Sequence, residues 1–232
     1  GCEGSLKRLG TDYIDVYELH FFDPDTPLEV TLHALDDLVR AGKVRYIGCS
    51  NFAGWQLMKG LSISERNGWE RFLTLEAMYS LACRGLEYEV VPACIDQGVA
   101  VLPFSPLHGG FLTGKYRRDA AWPAGTRHDR MEPAGPWPVE PDKLYAIVDE
   151  LDAVAAAHGV TVSQVALNYL VRKPGVCSLI MGVRTVEQLE DNLRALDWDM
   201  SDAEFARLDE VSTPDRPYPY DIFDPVNAEP GR

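Results

Sequence analysis

Apolar residues along the chain fall into short continuous runs alternating with runs spaced three and four apart. The clearest case opens the sequence. Tyr13–Leu19 is rich in aromatic and branched residues, as a buried strand requires, and it ends in His20. Thr26-Pro27-Leu28-Glu29 predicts a helix start, with Thr26 as cap, Pro27 at the first helical position and Glu29 three residues after the cap. Leu28, Leu32, Leu35 and Val39 repeat at helical spacing, and Gly42 ends the helix. Val44–Gly48 reads as a second strand that runs out into Cys49-Ser50-Asn51. Strand, helix, strand over Thr11–Asn51 predicts a parallel pair joined by a right-handed crossover. Ligands in parallel α/β folds sit at the carboxyl ends of strands, so His20, Ser50 and Asn51 are expected to face one site.

The alternation continues. Residues 1–10 read as the end of a helix closed by Gly10. Gly54–Arg66 predicts a helix burying Trp55, Leu57, Met58 and Leu61, and Phe72–Leu75 a strand ending in Glu76. Leu86–Asp96 predicts a helix with Leu86, Val90, Val91 and Ile95 on one side, and Val99–Phe104 a strand. From Leu112 to about Pro141 the pattern breaks into Pro, Gly, Arg and Asp; a loop this long after a strand's carboxyl end is expected to act as a lid. Helices follow at Lys143–His158, from Thr161, at Val186–Ala195 and from Ser201, with a strand at Val176–Met181 and a Pro- and Tyr-rich tail over 213–232. Five strands are thus expected, near Val16, Tyr46, Leu73, Val101 and Leu179, in one domain over 1–232. Successive strand–helix units fit an open doubly wound sheet or a (β/α)8 barrel.

Composition narrows the function class. A length of 232 residues suffices for one sizeable core. A net charge of −14 argues against a nucleic-acid partner. Five scattered cysteines, with no C-x-x-C and no Cys/His pairing at metal spacing, predict reduced thiols, a cytoplasmic location and no metal site. No apolar run is long enough to span a membrane.

Four motifs carry a family resemblance. Tyr17-Glu18-Leu19-His20-Phe21-Phe22-Asp23 looks like the Y-x-x-H-x-x-D segment of the aldo-keto reductases. Lys43–Phe52 is similar to that family's G-K-x-R-x-I-G-x-S-N-F. Ser105-Pro106-Leu107, Gly109-Gly110 and Leu112-Thr113-Gly114-Lys115 resemble its S-P-L-x-x-G-x-L-T-G. Gly182–Leu193 resembles its cofactor-binding G-x-R-x-x-E-Q-L-x-x-N-L. The motifs come in the family's order across nearly the whole chain. The fold so implied is a TIM (β/α)8 barrel, and the activity is reversible NADP-dependent reduction of an aldehyde or ketone by hydride transfer, with NAD as the other possible cofactor.

The resemblance also assigns roles. His20 would orient and polarise a substrate carbonyl, a task suited to a neutral imidazole. Ser50 and Asn51 would hold the nicotinamide carboxamide, and both are also good helix caps. Glu76 stands where the family usually has Gln; it accepts from the carboxamide NH2 but cannot donate to its oxygen. Phe104 would stack on the nicotinamide ring, or is a core residue at the end of an apolar strand. Ser105, Leu107 and Gly109 would strap the pyrophosphate, the glycine allowing close approach of backbone. Arg184, at a helix start, would take the 2′-phosphate of NADP. Gln188 stands where many relatives have a second Arg, and Asn192 would contact adenine or is an exposed helix residue. His108 is a minor candidate for lining the site. Trp122, Trp137, Tyr218, Tyr220 and Phe223 would wall a substrate pocket or are surface aromatics on long loops.

The family's catalytic group also contains an Asp, a Tyr acid and a Lys, and no match to them is found in this sequence. Five strands do not close an eight-strand barrel. The expectation is therefore a C-terminal portion of such a barrel, inactive by itself and complemented by a missing N-terminal barrel segment. Two rival readings are a non-catalytic, cofactor-binding regulatory subunit of the same fold and an unrelated barrel enzyme such as an isomerase or aldolase.

Overall fold

The computed structural model describes residues 1–118, 120–126 and 140–222. They divide into two compact units, 1–77 with 87–102, and 78–86 with the chain from 103 onward.

The first unit opens with α1 (Cys2–Leu9), which Gly10 closes in the left-handed region at φ 68°. Then come β1 (Ile14–Leu19), α2 (Leu28–Arg40), β2 (Val44–Ser50), α3 (Gly54–Asn67) and β3 (Phe72–Met78), with α4 at Val90–Gln97. β1 pairs parallel with β2, and β2 parallel with β3, as strand–helix–strand patterning requires. Leu28, Leu32 and Leu35 of α2 are buried on the expected stripe. The cap differs from expectation: Pro27 is itself the N-cap, and the Thr26 hydroxyl donates to Asp23 Oδ2 at 2.7 Å. Asp36, on the same helix, is buried because its carboxylate accepts from the Glu70 backbone N–H at 2.9 Å and pairs with Arg40.

α3 corrects a second expectation. Leu57 and Leu61 are buried, but Trp55 is 59% exposed, and the inward face runs instead through Gly54, Gly60, Ile63 and Ser64. The reason is close packing. A Cβ at Gly60 would lie 2.7 Å from Cε2 of Phe72 and 3.5 Å from Leu28. Only a glycine lets α3 sit this near the sheet. Gly60→Ala is expected to destabilise the protein by about 1–2 kcal/mol in urea unfolding, the overlap outweighing alanine's helix preference; a gain in stability would show that the ring has room to move. α4 is likewise shorter than predicted. It is preceded by a 3-10 turn at Gly85–Glu87, and it buries Val91 and Cys94 rather than Ile95.

The register of β3 carries one irregularity. Ile47 pairs with Phe72 but Gly48 pairs with Thr74, leaving Leu73 as an extra residue. Because side chains alternate along a strand, the extra residue sends Phe72 and Thr74 to opposite faces. Phe72 meets α3, and Thr74 meets Glu18.

β4 (Ala100–Phe104) follows β3 in the sheet order and carries the chain into the second unit. There the described helices are α5 (Pro141–His158), α6 (Val162–Val171), α7 (Val186–Leu193) and α8 (Asp202–Ser212). Thr161, Thr185 and Ser201 cap the last three, accepting from the backbone N–H three residues on. The predicted fifth strand is not formed: among the described residues Val176–Met181 contributes one parallel bridge, Ile180 to Phe104. Ile180 donates to Pro103 O at 2.8 Å. The next rung toward the N-terminus would need an N–H on residue 103 to donate to Ser178, and proline has none. Four strands, not five, make up the described sheet.

Candidate functional site

In the first unit, Asn51 joins three strand ends. Its backbone adopts φ 58°, a left-handed conformation that asparagine tolerates. Its backbone N–H donates to Glu76 O at 3.0 Å. Its side-chain amide donates to His20 O at 3.1 Å and to Ser50 Oγ at 2.9 Å. Ser50 is buried and pairs in register with Glu76. His20 is exposed, its ring 4.2 Å from that of Phe21. The strand-end residues His20, Ser50, Asn51 and Glu76 are thus brought together, with Asn51 holding the backbone of His20 rather than its ring.

One rung below lies a group that patterning alone passed over. Glu18 pairs with Gly48, and Gly48 with Thr74. A Cβ at Gly48 would overlap both neighbouring side chains, so the glycine leaves the space in which the Thr74 hydroxyl donates to Glu18 Oε1. Glu18 Oε2 is buried with no hydrogen-bond partner. Burial pushes the Glu18 carboxyl up to about 7, the Glu76 charge adds to the rise, and the Thr74 bond opposes both. The Cys49 thiol is raised by burial first and then by Glu18 and Cys94, and burial pushes Cys94 up to about 12; both thiols are therefore neutral and unreactive at ordinary pH. The available signal for Glu18 was a carboxyl inside an apolar strand at the alternation parity of His20.

In the second unit, Phe104, Ser105, Leu107, Gly109, Arg184, Gln188 and Asn192 all line one cavity of about 750 Å3. This volume is in the range of small-molecule sites. One wall is a tight backbone coil, with Ser105 at φ 54°, His108 at 48°, Gly109 at 66° and Gly110 at 98°. His108 N–H donates to Ser105 O, and Gly110 N–H to Leu107 O, each at 2.8 Å. His108 itself does not line the cavity; it is buried, its Nδ1 3.2 Å from Ser80 Oγ. Another wall is the start of α7. Gln188 Oε1 accepts from the Arg184 N–H at 2.9 Å, fixing the approach to the helix. Asn192 is buried rather than exposed. Asp191 accepts from Thr161 and from Gln164, at 2.9 and 2.7 Å, which ties α7 to α6.

Two cations reach this cavity. Arg184 donates to Gly125 O at 3.4 Å, so the early part of the 112–141 loop lies against the wall. Lys115 was not singled out from the sequence as a site residue. A Cβ at Gly110 would lie 2.9 Å from its Nζ, so that glycine makes its room. The same part of the loop is held to α5 by Arg117–Asp152 and Arg118–Asp142 pairs. Of the aromatics expected to wall a substrate pocket, Trp122 packs on Phe111 and Tyr116, and Tyr218 is 78% exposed. Tyr220 is half-buried, and Trp137 and Phe223 lie outside the described residues, as do 119, the rest of 127–139 and 224–232.

Two cations, a helix N-terminus and a glycine coil around one cavity form an anion-binding surface. The cavity residues therefore fit phosphate groups; separately, in the first unit, the amide, hydroxyl and carboxylate gathered by Asn51 offer partners for a carboxamide.

Comparison with known proteins identifies the family. The sequence profile of the Aldo/keto reductase family matches residues 1–213. The oxidoreductase YrpG of Bacillus subtilis is 38% identical over 206 residues, covering 89% of this chain and 60% of its own length. The versiconal hemiacetal acetate reductase of Aspergillus parasiticus is 31% identical over 217 residues, covering 94% of this chain and 62% of its own. The chain thus spans about three fifths of the length of these relatives. The crystal structure of a thermostable aldo-keto reductase, Tm1743, in complex with the inhibitor epalrestat superposes with a TM-score of 0.71 at 30% identity, over 90% of this chain and 64% of that one. Profile, relatives and fold agree with the four sequence motifs: the chain belongs to the aldo/keto reductase family.

Proposed function

We propose that this chain holds the nicotinamide cofactor of a carbonyl reductase, its parallel sheet being part of a (β/α)8 barrel. One observation carries the reading: motif residues from two distant segments, 104–109 and 184–192, line the same cavity. In that cavity the N-terminus of α7, Lys115 and Arg184 would neutralise the phosphates, Arg184 favouring the additional phosphate of NADP over NAD. Asn192 would meet the adenine. Ser50, Asn51 and Glu76 would orient the carboxamide, and Asn51 would keep the main chain of His20 in place while its imidazole engages the substrate carbonyl. The bound cofactor would supply the hydride. Gly125 and Thr126, from the described part of the 112–141 loop, would border the bound phosphates. A Tyr–Lys–Asp group has no match at motif positions in this sequence, so the 232-residue chain assayed alone is expected to bind cofactor without reducing carbonyls.

Titration of tryptophan fluorescence with NADPH and NADH tests the reading. Saturable quenching by NADPH is expected. Arg184→Ala is expected to weaken NADPH binding roughly ten-fold and NADH binding much less. Equal weakening of both would remove Arg184 from the 2′-phosphate, and no binding of either would refute the cofactor reading.

A further inference from the structure

Glu18 has no part in the reading above, yet it lies in register beneath it. Its rung, Glu18–Gly48–Thr74, is two residues before the Ser50–Glu76 rung on the same strands and therefore on the same face. The separation is about 7 Å. The arrangement depends on two devices, the missing side chain at Gly48 and the extra residue Leu73 that turns Thr74 to this face. Thr74 Oγ donates its one proton to Oε1, and Oε2 is enclosed without a partner. A carboxyl so placed is comfortable when neutral and gains from a positive charge arriving nearby.

We propose that Glu18 sets the preference of this chain between oxidised and reduced nicotinamide, releasing its proton to solvent when a positively charged ring is held at the Ser50–Glu76 rung. The inference rests on the nicotinamide reading. The reduced ring is neutral and asks nothing of Glu18; the oxidised ring is a cation and is stabilised by the carboxylate. The ionisable groups that act with Glu18 are Glu76 on β3, whose charge opposes its ionisation, and Cys49 on β2, a thiol that burial keeps neutral. No basic side chain contributes to holding the Glu18 charge among the described residues. Glu18 therefore changes charge near neutral pH, where the thiol does not.

The experiment measures dissociation constants of NADP+ and NADPH by fluorescence between about pH 6 and pH 8.5, in the 232-residue chain and in Glu18→Gln. The phosphates are common to both cofactor forms and cancel in the ratio of the two constants. With Glu18 present, the ratio of NADP+ to NADPH constants is expected to fall roughly three- to ten-fold as pH rises, and in Glu18→Gln to stay flat. A second readout needs no cofactor: the infrared band of a protonated carboxyl, present near pH 6 in the unliganded chain, lost near pH 8.5 and absent in Glu18→Gln. The same pH dependence in both proteins, or no such band, overturns the inference while leaving cofactor binding intact. Failure of both cofactors to bind overturns the function reading and this inference with it, whatever the band shows.

Discussion

Arg84→Ala is expected to destabilise the protein by about 2–3 kcal/mol, measured as a fall in the urea midpoint with little change in slope. Arg84 is 5% exposed and holds the end of α8 by several bonds at once. Its Nη1 donates to Asp209 O and to Ser212 Oγ, each at 2.7 Å, and its Nη2 to Asp209 Oδ1 at 2.9 Å. The same carboxylate oxygen accepts from the Tyr169 hydroxyl at 2.6 Å and from Lys173 at 3.0 Å. Burial alone would raise the Asp209 carboxyl; the Tyr169 hydroxyl, Arg84 and Lys173 overcome it and hold the group below its ordinary range. Truncating Arg84 leaves the Ser212 hydroxyl without its donor and removes one donor each from the Asp209 carbonyl, which keeps Thr213 at 2.7 Å, and from its carboxylate, which keeps Tyr169 and Lys173; the lost bonds and packing of a buried guanidinium carry the cost. A cost below about 1 kcal/mol would mean that water replaces the guanidinium freely.

Glu18→Gln is expected to stabilise the protein by about 1–2 kcal/mol at pH 8.5 and to change little at pH 4.5. The carboxyl titrates at about 7 in the folded chain, against an ordinary value of 4.5. Between those values the folded state binds the extra proton, so stability is greatest below 4.5 and falls as pH rises through 7. The unscreened difference amounts to about 3 kcal/mol, and partial solvent contact at a half-buried side chain reduces it. The amide keeps an acceptor for Thr74 and never ionises, so the gain must grow with pH. An equal gain at both pH values would place its origin in packing.

The parts of this fold that could be read from the sequence are those governed by local period and chain order. Tyr13–Asn51 gave strand, helix and strand because one apolar stripe and one glycine stop are enough to specify them, and the parallel pairing followed from the length of the connection. The cavity residues were legible because motif order, not periodicity, marked them. What escaped depends on partners far along the chain. The inward face of α3 goes to Gly60 rather than Trp55 because Phe72 fills the space in front of the glycine. The strand expected at Val176–Met181 needed a donor that Pro103 lacks, a fact about the neighbouring strand rather than about the segment. Glu18 looks like one polar residue in an apolar run until Leu73 shifts the register and brings Thr74 over it.

The missing donor at Pro103 also bears on kinetics. Ile180–Arg184 forms one wall of the cavity, and among the described residues a single β-bridge ties its start to β4. A segment joined to the sheet by one rung, and at its far end by the Arg184 bonds to Gln188 and Gly125, frays at a small fraction of the free energy that unzipping a full ladder requires. Ligand exchange at this cavity is therefore expected to need local fraying rather than unfolding of the core. A variant that restores a donor at residue 103 would add the missing rung, and slower ligand exchange at this cavity is then the expected result.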